Sequence, residues 1–280
     1  MEPDGPRVDL HVHTTASDGT APPATVVRRA AEAGLSAIAI TDHDTIDGVP
    51  EAIATGRQLG VRVVAGCEFS VAAPWGEMHL LGYFLPAASD ELAAFLSVAR
   101  ADRERRAREM VARLAELGAV IEVEAVLAAA GGGAIGRPHV ARVLVESGVV
   151  ATLDEAFWRF LGKGRAAFVE KQLPPFAEVT ALVHRLGGVV SAAHLKDRGT
   201  RGALQRLQAQ GLDAVETRHP SHDPDARARL TELALALGLA RSGGSDWHGD
   251  AKEGWTHGAL GSQEVPLAWL DELAARCAAT

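Results

Sequence analysis

Short apolar runs of strand length recur along this 280-residue chain, and six of the seven end in, or carry near an end, a histidine, aspartate or glutamate. The runs cover residues 8–13, 37–41, 62–68, 78–84, 188–194, 214–217 and 240–245. Stretches rich in Ala, Leu and Arg, with helical spacing, lie between them at 23–33, 49–59, 177–186, 201–209 and 225–237. Strands alternating with helices predict an α/β chain of βα units around a parallel sheet or barrel. In α/β barrels the catalytic groups gather at one end, where strands run out into loops. A single acid after a strand is commonly a helix cap, and a single strand histidine is commonly a satisfied core residue. Independent accidents would not all choose the same end.

In the first run Val8, Leu10 and Val12 alternate with Asp9, His11 and His13, so a strand would bury the first set and turn the second to the other face. Asp18 follows in a loop, and His43 stands between Asp42 and Asp44 directly after an apolar run. Glu68, His79, His194, Asp246 and His248 complete nine candidate metal ligands. Imidazole nitrogens mixed with carboxylate oxygens suit Mn²⁺, Fe²⁺ or Zn²⁺. A tetrahedral zinc takes about four ligands, so nine imply two or three divalent ions.

Between the fourth and fifth strands the period changes. Leu92, Phe95, Leu96, Ala99, Met110, Leu114 and Leu117 follow a three-or-four spacing, with Arg and Glu on the other face. The pattern breaks at Gly131-Gly132-Gly133 and restarts at Pro138, where proline suits a first helical turn. This predicts a barrel of residues 1–87 and 176–280 carrying an inserted helical lid, 88–175.

A net charge of −8 argues against broad binding of long nucleic acid, which calls for a basic surface. It leaves nucleotides open, since acids gathered around metal ions inflate the negative count. Two cysteines, no charged-then-apolar leader and apolar runs far short of a membrane span predict a cytoplasmic protein without a membrane anchor. Nothing in the sequence calls for an obligate protein partner.

Asp9-Leu10-His11-Val12-His13 with Ser17-Asp18-Gly19, then Thr41-Asp42-His43-Asp44, Gly66-Cys67-Glu68, His79 and Ser245-Asp246-Trp247-His248 together resemble the PHP (polymerase and histidinol phosphatase) superfamily. The resemblance runs in order from residue 9 to 249. It implies a distorted seven-stranded β/α barrel with a trinuclear metal centre. His11, His13, Glu68 and Asp246 would hold one ion. A bridging Glu68 with His79 and His194 would hold a second, and Asp18, His43 and His248 a third. Manganese ranks first, with iron or zinc next.

Gly136-Arg137-Pro138-His139 and Gly162-Lys163-Gly164 resemble the lid of members acting on nucleoside 3′,5′-bisphosphates or on 5′ ends of short RNA. The implied enzyme is a phosphoric ester hydrolase, a phosphatase in the first instance, using a hydroxide bridging two ions. Arg137 would grip phosphate, helped by the helix N-terminus at Pro138. His139 or His219 would protonate the leaving group, with Arg218 as a further phosphate contact. His219 ranks ahead of His222, which stays open. Lys163 and Arg165 read as surface residues, His184 as structural, and His257 has no assignable role.

Two departures stand out: Leu195 replaces the family's proline after His194, and two histidines share the segment after the sixth strand. Histidinol-phosphate phosphatase is the nearer rival activity, and a non-catalytic metal-binding PHP module is a second alternative. An amidohydrolase shares the paired histidines of the first strand, but no strand-end lysine is present to carry a bridging carbamate.

Overall fold

The computed structural model of the chain describes residues 5–249 and 258–277. Its strands are β1 (Arg7–Val12), β2 (Leu35–Ile40), β3 (Arg62–Ala73), β4 (Gly76–Tyr83), β5 (Val189–Ala192), β6 (Ala214–Arg218), β7 (Ala240–Gly243) and β8 (Val265–Pro266). They form one sheet in the order β7-β6-β5-β4-β3-β2-β1-β8. Strands β1, β2 and β3 run parallel, as do β5, β6 and β7. The sheet nearly closes on itself. Beyond β7 the chain meets β1, with the His13 amide donating to the Trp247 carbonyl at 2.9 Å. Gly244 permits that approach, since a Cβ there would lie 2.4 Å from the His11 nitrogen.

The two-residue β8, antiparallel to β1, was not anticipated from the pattern. Strand β4 also departs from the βα reading. It is antiparallel to both neighbours and forms a hairpin with a β3 that runs on to Ala73. Its beginning therefore lies at the barrel end where the parallel strands finish: the His79 carbonyl accepts from the Ala193 amide, next to His194. Tyr83, at its other end, pairs with Val189 at the start of β5.

Helices α1 (Pro23–Glu32) and α2 (Val49–Leu59) cover Ile38 and Ile40 of β2. Eight more helices follow in two groups. The first, in the insertion, is α3 (Asp90–Glu116), α4 (Val123–Ala129), α5 (Arg137–Glu146) and α6 (Leu153–Ala156), the last running into a π-helical turn, Phe157–Leu161. The second begins with α7 (Phe176–Arg185) and α8 (Arg201–Gln208), and continues with α9 (Pro224–Leu237) and α10 (Leu267–Cys277). Residues of α3 to α6 share their own apolar core, including Met110, Leu114, Val140, Leu144 and Leu161. The chain returns beside β3, where the Ala72 amide donates to the Pro174 carbonyl.

Helix α3 starts on Ser89, whose side chain accepts from the Leu92 amide, a cap that contributes about 1 kcal/mol. Its first turns bury Leu92 and Leu96 against the barrel helices, and its last bury Met110 and Leu114 in the insertion. Between them the buried stripe holds Arg103 and Arg106, which the sequence reading had left on the solvent face. No helix among the described residues is long and apolar enough to cross a membrane.

Candidate metal centre

All nine candidate ligands converge at one end of the barrel, around Glu68. Its Oε2 lies 3.3 Å from His11 Nε2, 3.2 Å from His13 Nε2 and 3.0 Å from His43 Nδ1. Its Oε1 lies 2.8 Å from His79 Nδ1 and 3.1 Å from His194 Nε2. Asp246 Oδ1 closes the first set, 3.3 Å from His11 Nε2 and 3.2 Å from His13 Nε2. Asp18 faces His248 Nε2 at 3.2 Å and His43 Nε2 at 3.9 Å.

Among the described residues four groupings of ligand atoms lie within 4.8 Å of one another: one equals the first implied set, two differ from the other implied sets by a member, and a fourth joins His11 with Glu216 and His219. His11, His13, Glu68 and Asp246 form one. His43 joins Glu68 and His79 in the second, beside His194. His13 joins Asp18, His43 and His248 in the third. Chemically the donors fit divalent ions. His11 Nε2, His13 Nε2, His43 Nδ1 and Asp18 Oδ1 are buried without a hydrogen-bond partner, an arrangement that costs free energy unless a cation takes up the lone pairs.

The position of β4 explains why His79 stands near the beginning of its strand while His11 lies near the end of β1: a reversed strand offers its beginning to this end. The expected alternation in β1 holds only in part. Its register against β2 shifts between Asp9 and Val12, so Val12 packs with Ile38 and Ile40 while Val8 and Leu10 pack with Tyr83. Asp9 consequently does not join His11 and His13. Its oxygens accept from the His11, Ser245 and Gly261 amides instead.

Supporting residues that the motif reading passed over hold the ligands in place. Glu216 accepts from His11 Nδ1 at 2.9 Å with one oxygen and from the His194 amide at 2.7 Å with the other. Asp42 accepts from the Thr14 amide and hydroxyl and from the Ser17 hydroxyl, fixing the loop that carries Asp18. Glu77 lies 3.3 Å from His79 Nε2 and takes a short hydrogen bond from Lys171. Such carboxylates orient an imidazole and set which nitrogen is left for a metal. His194, Asp246 and Asp44 hold positive φ angles of 27°, 51° and 50°, left-handed backbone that non-glycine residues adopt at a cost.

Electrostatics in the metal-free protein favour protons where ions would sit. Burial opposes a charge on His13, but the Asp246 and Glu68 carboxylates overcome it and raise its pKa to about 10. Burial likewise opposes a charge on His79, and Glu68 raises it to about 9. For His43 burial wins, and its pKa falls well below the ordinary value. These raised values stabilise the metal-free fold below pH 6.5, and the contribution fades as pH rises through about 9 and 10. Metal must displace the same protons. Burial opposes a charge on His11 as well, but Glu68, Asp246 and Glu216 raise its pKa, so loading at pH 7.5 is expected to release roughly three protons per chain, with affinity climbing as pH rises. Calorimetry in two buffers of different ionisation heat measures this, and loading without proton release would contradict it.

Above the ligands lies a cavity of about 340 Å³, walled on one side by Asp18, Glu68, His79, His194, Asp246 and His248. Arg103, Arg106 and Arg137, from α3 and α5, complete its wall. The Arg137 guanidinium sits over the rings of Phe157 and Phe168, at 5.7 and 5.5 Å. His139 is buried beneath this wall, its Nδ1 accepting from the Gly136 amide at 2.9 Å. His219 reaches the ligand cluster, with Nε2 3.3 Å from Asp246 Oδ2. Both nitrogens of His222 are taken by backbone groups, the Thr217 carbonyl and the Lys196 amide.

Arg218 is directed elsewhere. It donates to the Gln263 and Glu264 carbonyls and lies over Trp269. Lys163 and Arg165 are exposed, and His184 pairs with Asp213 at 2.7 Å. His257 lies outside the described residues. Leu195 has φ −62°, the angle a proline would impose, and its side chain packs in the core below, so the substitution fits the same local path.

The arrangement has counterparts in known proteins. A 5′-3′ exoribonuclease of Haemophilus influenzae is 32% identical over 247 residues, covering 86% of this chain and 90% of that protein. A 3′,5′-nucleoside bisphosphate phosphatase of Chromobacterium violaceum is 33% identical over 264 residues, covering 89% of each. A crystal structure from Bifidobacterium adolescentis, described as a metal-dependent phosphoesterase, superposes with a TM-score of 0.89 at 33% identity. It covers 99% of this chain and 98% of that one. Residues 9–233 match the PHP domain itself, and the chain belongs to the PHP domain family.

Proposed function

We propose that the chain is a metal-dependent phosphoesterase acting on nucleotides. It removes the 3′ phosphate from a nucleoside 3′,5′-bisphosphate or hydrolyses the terminal phosphodiester at the 5′ end of a short RNA. The observation that carries this reading is a cavity whose wall combines imidazoles and carboxylates with Arg103, Arg106 and Arg137. Divalent ions, manganese first and iron or zinc next, would be held by the nine ligands and would supply Lewis acidity and an activated water. The names and extent of the two curated relatives support the substrate class.

Arg137 binds the phosphate oxygens, and its partial burial strengthens that contact by excluding water. His219 assists the leaving group. Its Nδ1 accepts from the Ser221 amide at 3.0 Å, so the neutral ring carries its proton on Nε2, which faces the cluster without a hydrogen-bond partner. That N–H donates a hydrogen bond to the leaving oxygen and stabilises its developing charge, while solvent water supplies the proton that completes its departure. His139 has the same tautomer through Gly136 and stands second for this role. The helical segment acts as a lid over the cavity, and the protein works in the cytoplasm on small phosphorylated substrates rather than long nucleic acid.

Phosphate release from adenosine 3′,5′-bisphosphate, AMP, histidinol phosphate and short 5′-phosphorylated RNA, with Mn²⁺ restored after chelation, tests the proposal. The bisphosphate or the RNA is expected to lead. Asp246→Ala and His13→Ala should lose metal and turnover together. Preference for histidinol phosphate would move the substrate to that rival, and a metal-loaded protein inert towards all four would make it a binding module.

A further inference from the structure

A second chamber of about 590 Å³ adjoins the metal-bearing cavity, and the two share His79, Arg137, Lys171 and His194. It leads away from the ligands between the turn of the β3–β4 hairpin, at Trp75 and Gly76, and the turn after His194. No role in hydrolysis falls to it. The first cavity alone, at 340 Å³, lies at the low end of the roughly 300–1,000 Å³ that a small-molecule ligand fills.

The charge of the chamber departs from that of the chain. The protein carries a net −8, and several of its surface arginines are paired with acids, as in Arg105 with Asp102, Arg108 with Glu104 and Arg159 with Glu155. Around the chamber, Lys163, Lys196 and Arg198 have side chains without a hydrogen bond or ion pair among the described residues. Three acids also line it. Glu77 is taken by Lys171 and His79, Asp197 lies 3.7 Å from Arg229, and Glu170 is exposed. Trp75 and Phe168 add aromatic surface to the same chamber. Cations together with aromatic rings match a single-stranded polynucleotide, whose phosphates need counter-charge and whose bases stack on rings.

We propose that this chamber seats the nucleotides that follow the hydrolysed phosphate, so that the fitted substrate is a short single-stranded oligonucleotide rather than a mononucleotide. The inference rests on the phosphoesterase reading above and selects between its two substrates. The chain of the substrate leaves the metal cluster past His79 and His194. Its next phosphates meet Lys196, Arg198 and Lys163.

Two measurements on the Mn²⁺-loaded full chain test this, in the native protein and in a Lys163→Ala, Lys196→Ala, Arg198→Ala triple variant. The first is kcat/KM for a 5′-phosphorylated RNA pentanucleotide relative to adenosine 3′,5′-bisphosphate. The second is the salt dependence of binding a fluorescent phosphorothioate pentanucleotide. In the variant the kcat/KM ratio is expected to fall at least about tenfold. The slope of log affinity against log salt should shrink by about 2, from three contacts at about 0.7 each. An unchanged ratio with an unchanged slope, or equal losses for both substrates, would overturn the chamber's role. A reduced slope in a protein that hydrolyses neither substrate would leave the chamber standing and sink the phosphoesterase reading alone.

Discussion

Replacing Glu68 by glutamine is expected to lower kcat/KM by at least about a thousandfold and to leave the purified protein depleted of metal. One carboxylate faces five imidazoles, at 2.8 to 3.3 Å, and belongs to two of the ligand groupings at once. An amide is isosteric, but it removes the negative charge and turns an acceptor oxygen into an N–H₂ donor. A divalent ion contributes several kcal/mol to stabilising a phosphoryl transition state, and about 4 kcal/mol corresponds to a factor of about a thousand. The metal-free variant should also unfold more readily than metal-free native protein, because the charged forms of His11 and His13 lose a partner. Metal analysis alongside kinetics checks the expectation. Full metal content with near-native turnover would show that Glu68 is a bystander.

The Arg103→Met variant is expected to lose about 3–5 kcal/mol of unfolding free energy, the usual cost of leaving a buried charge without its partner. The Arg103 Nε donates to Asp44 Oδ2 at 2.8 Å, Nη1 donates to the Ile135 carbonyl at 3.0 Å, and both side chains are buried. Asp44 also accepts from the Ser70 amide and follows His43 directly, so one ion pair ties the insertion to a metal-ligand loop. Adding Asp44→Asn to the variant should restore much of the loss, whereas additive effects in urea unfolding would mean that the two do not interact. Burial alone would raise the Asp44 carboxyl, but Arg103 and Lys171 hold its pKa below the ordinary 3.8. The stabilisation is thus complete above about pH 4 and is lost as pH falls through the depressed value. In Arg103→Met that acid dependence should move to higher pH.

The barrel and its ligand end were legible because both follow from local rules: strand-length apolar runs, helical spacing between them, and polar groups where each run stops. What escaped was non-local. Nothing in Gly76–Tyr83 says that this strand runs backwards, since direction is set by the tight turn after Ala73 and by its partners. The register shift in β1 depends on the neighbouring strand, so Asp9 could not be separated from His11 by counting alone.

Arg103 and Arg106 were a different case, because their signal was present. Positions 92, 96, 99, 103, 106, 110 and 114 form one three-or-four stripe, and two arginines on an apolar stripe mark buried charges rather than a solvated face. Glu216 lay in plain view within its strand. Only the spatial meeting of β6 with His11 and His194 gives it a role.

Helix α3 joins distant parts of the molecule mechanically. It begins shortly after Tyr83, at the barrel end remote from the ligands, and its 27 residues span about 40 Å at 1.5 Å each. Leu92 and Leu96 anchor its foot, Arg103 touches the cavity at mid-height, and Met110 and Leu114 carry the insertion at its top. A rod fixed at its foot cannot slide the roof of the cavity sideways without tearing at that anchorage. Any opening that admits a substrate must therefore pivot about the upper part of α3 or come from 137–161, the shorter helices hung from it.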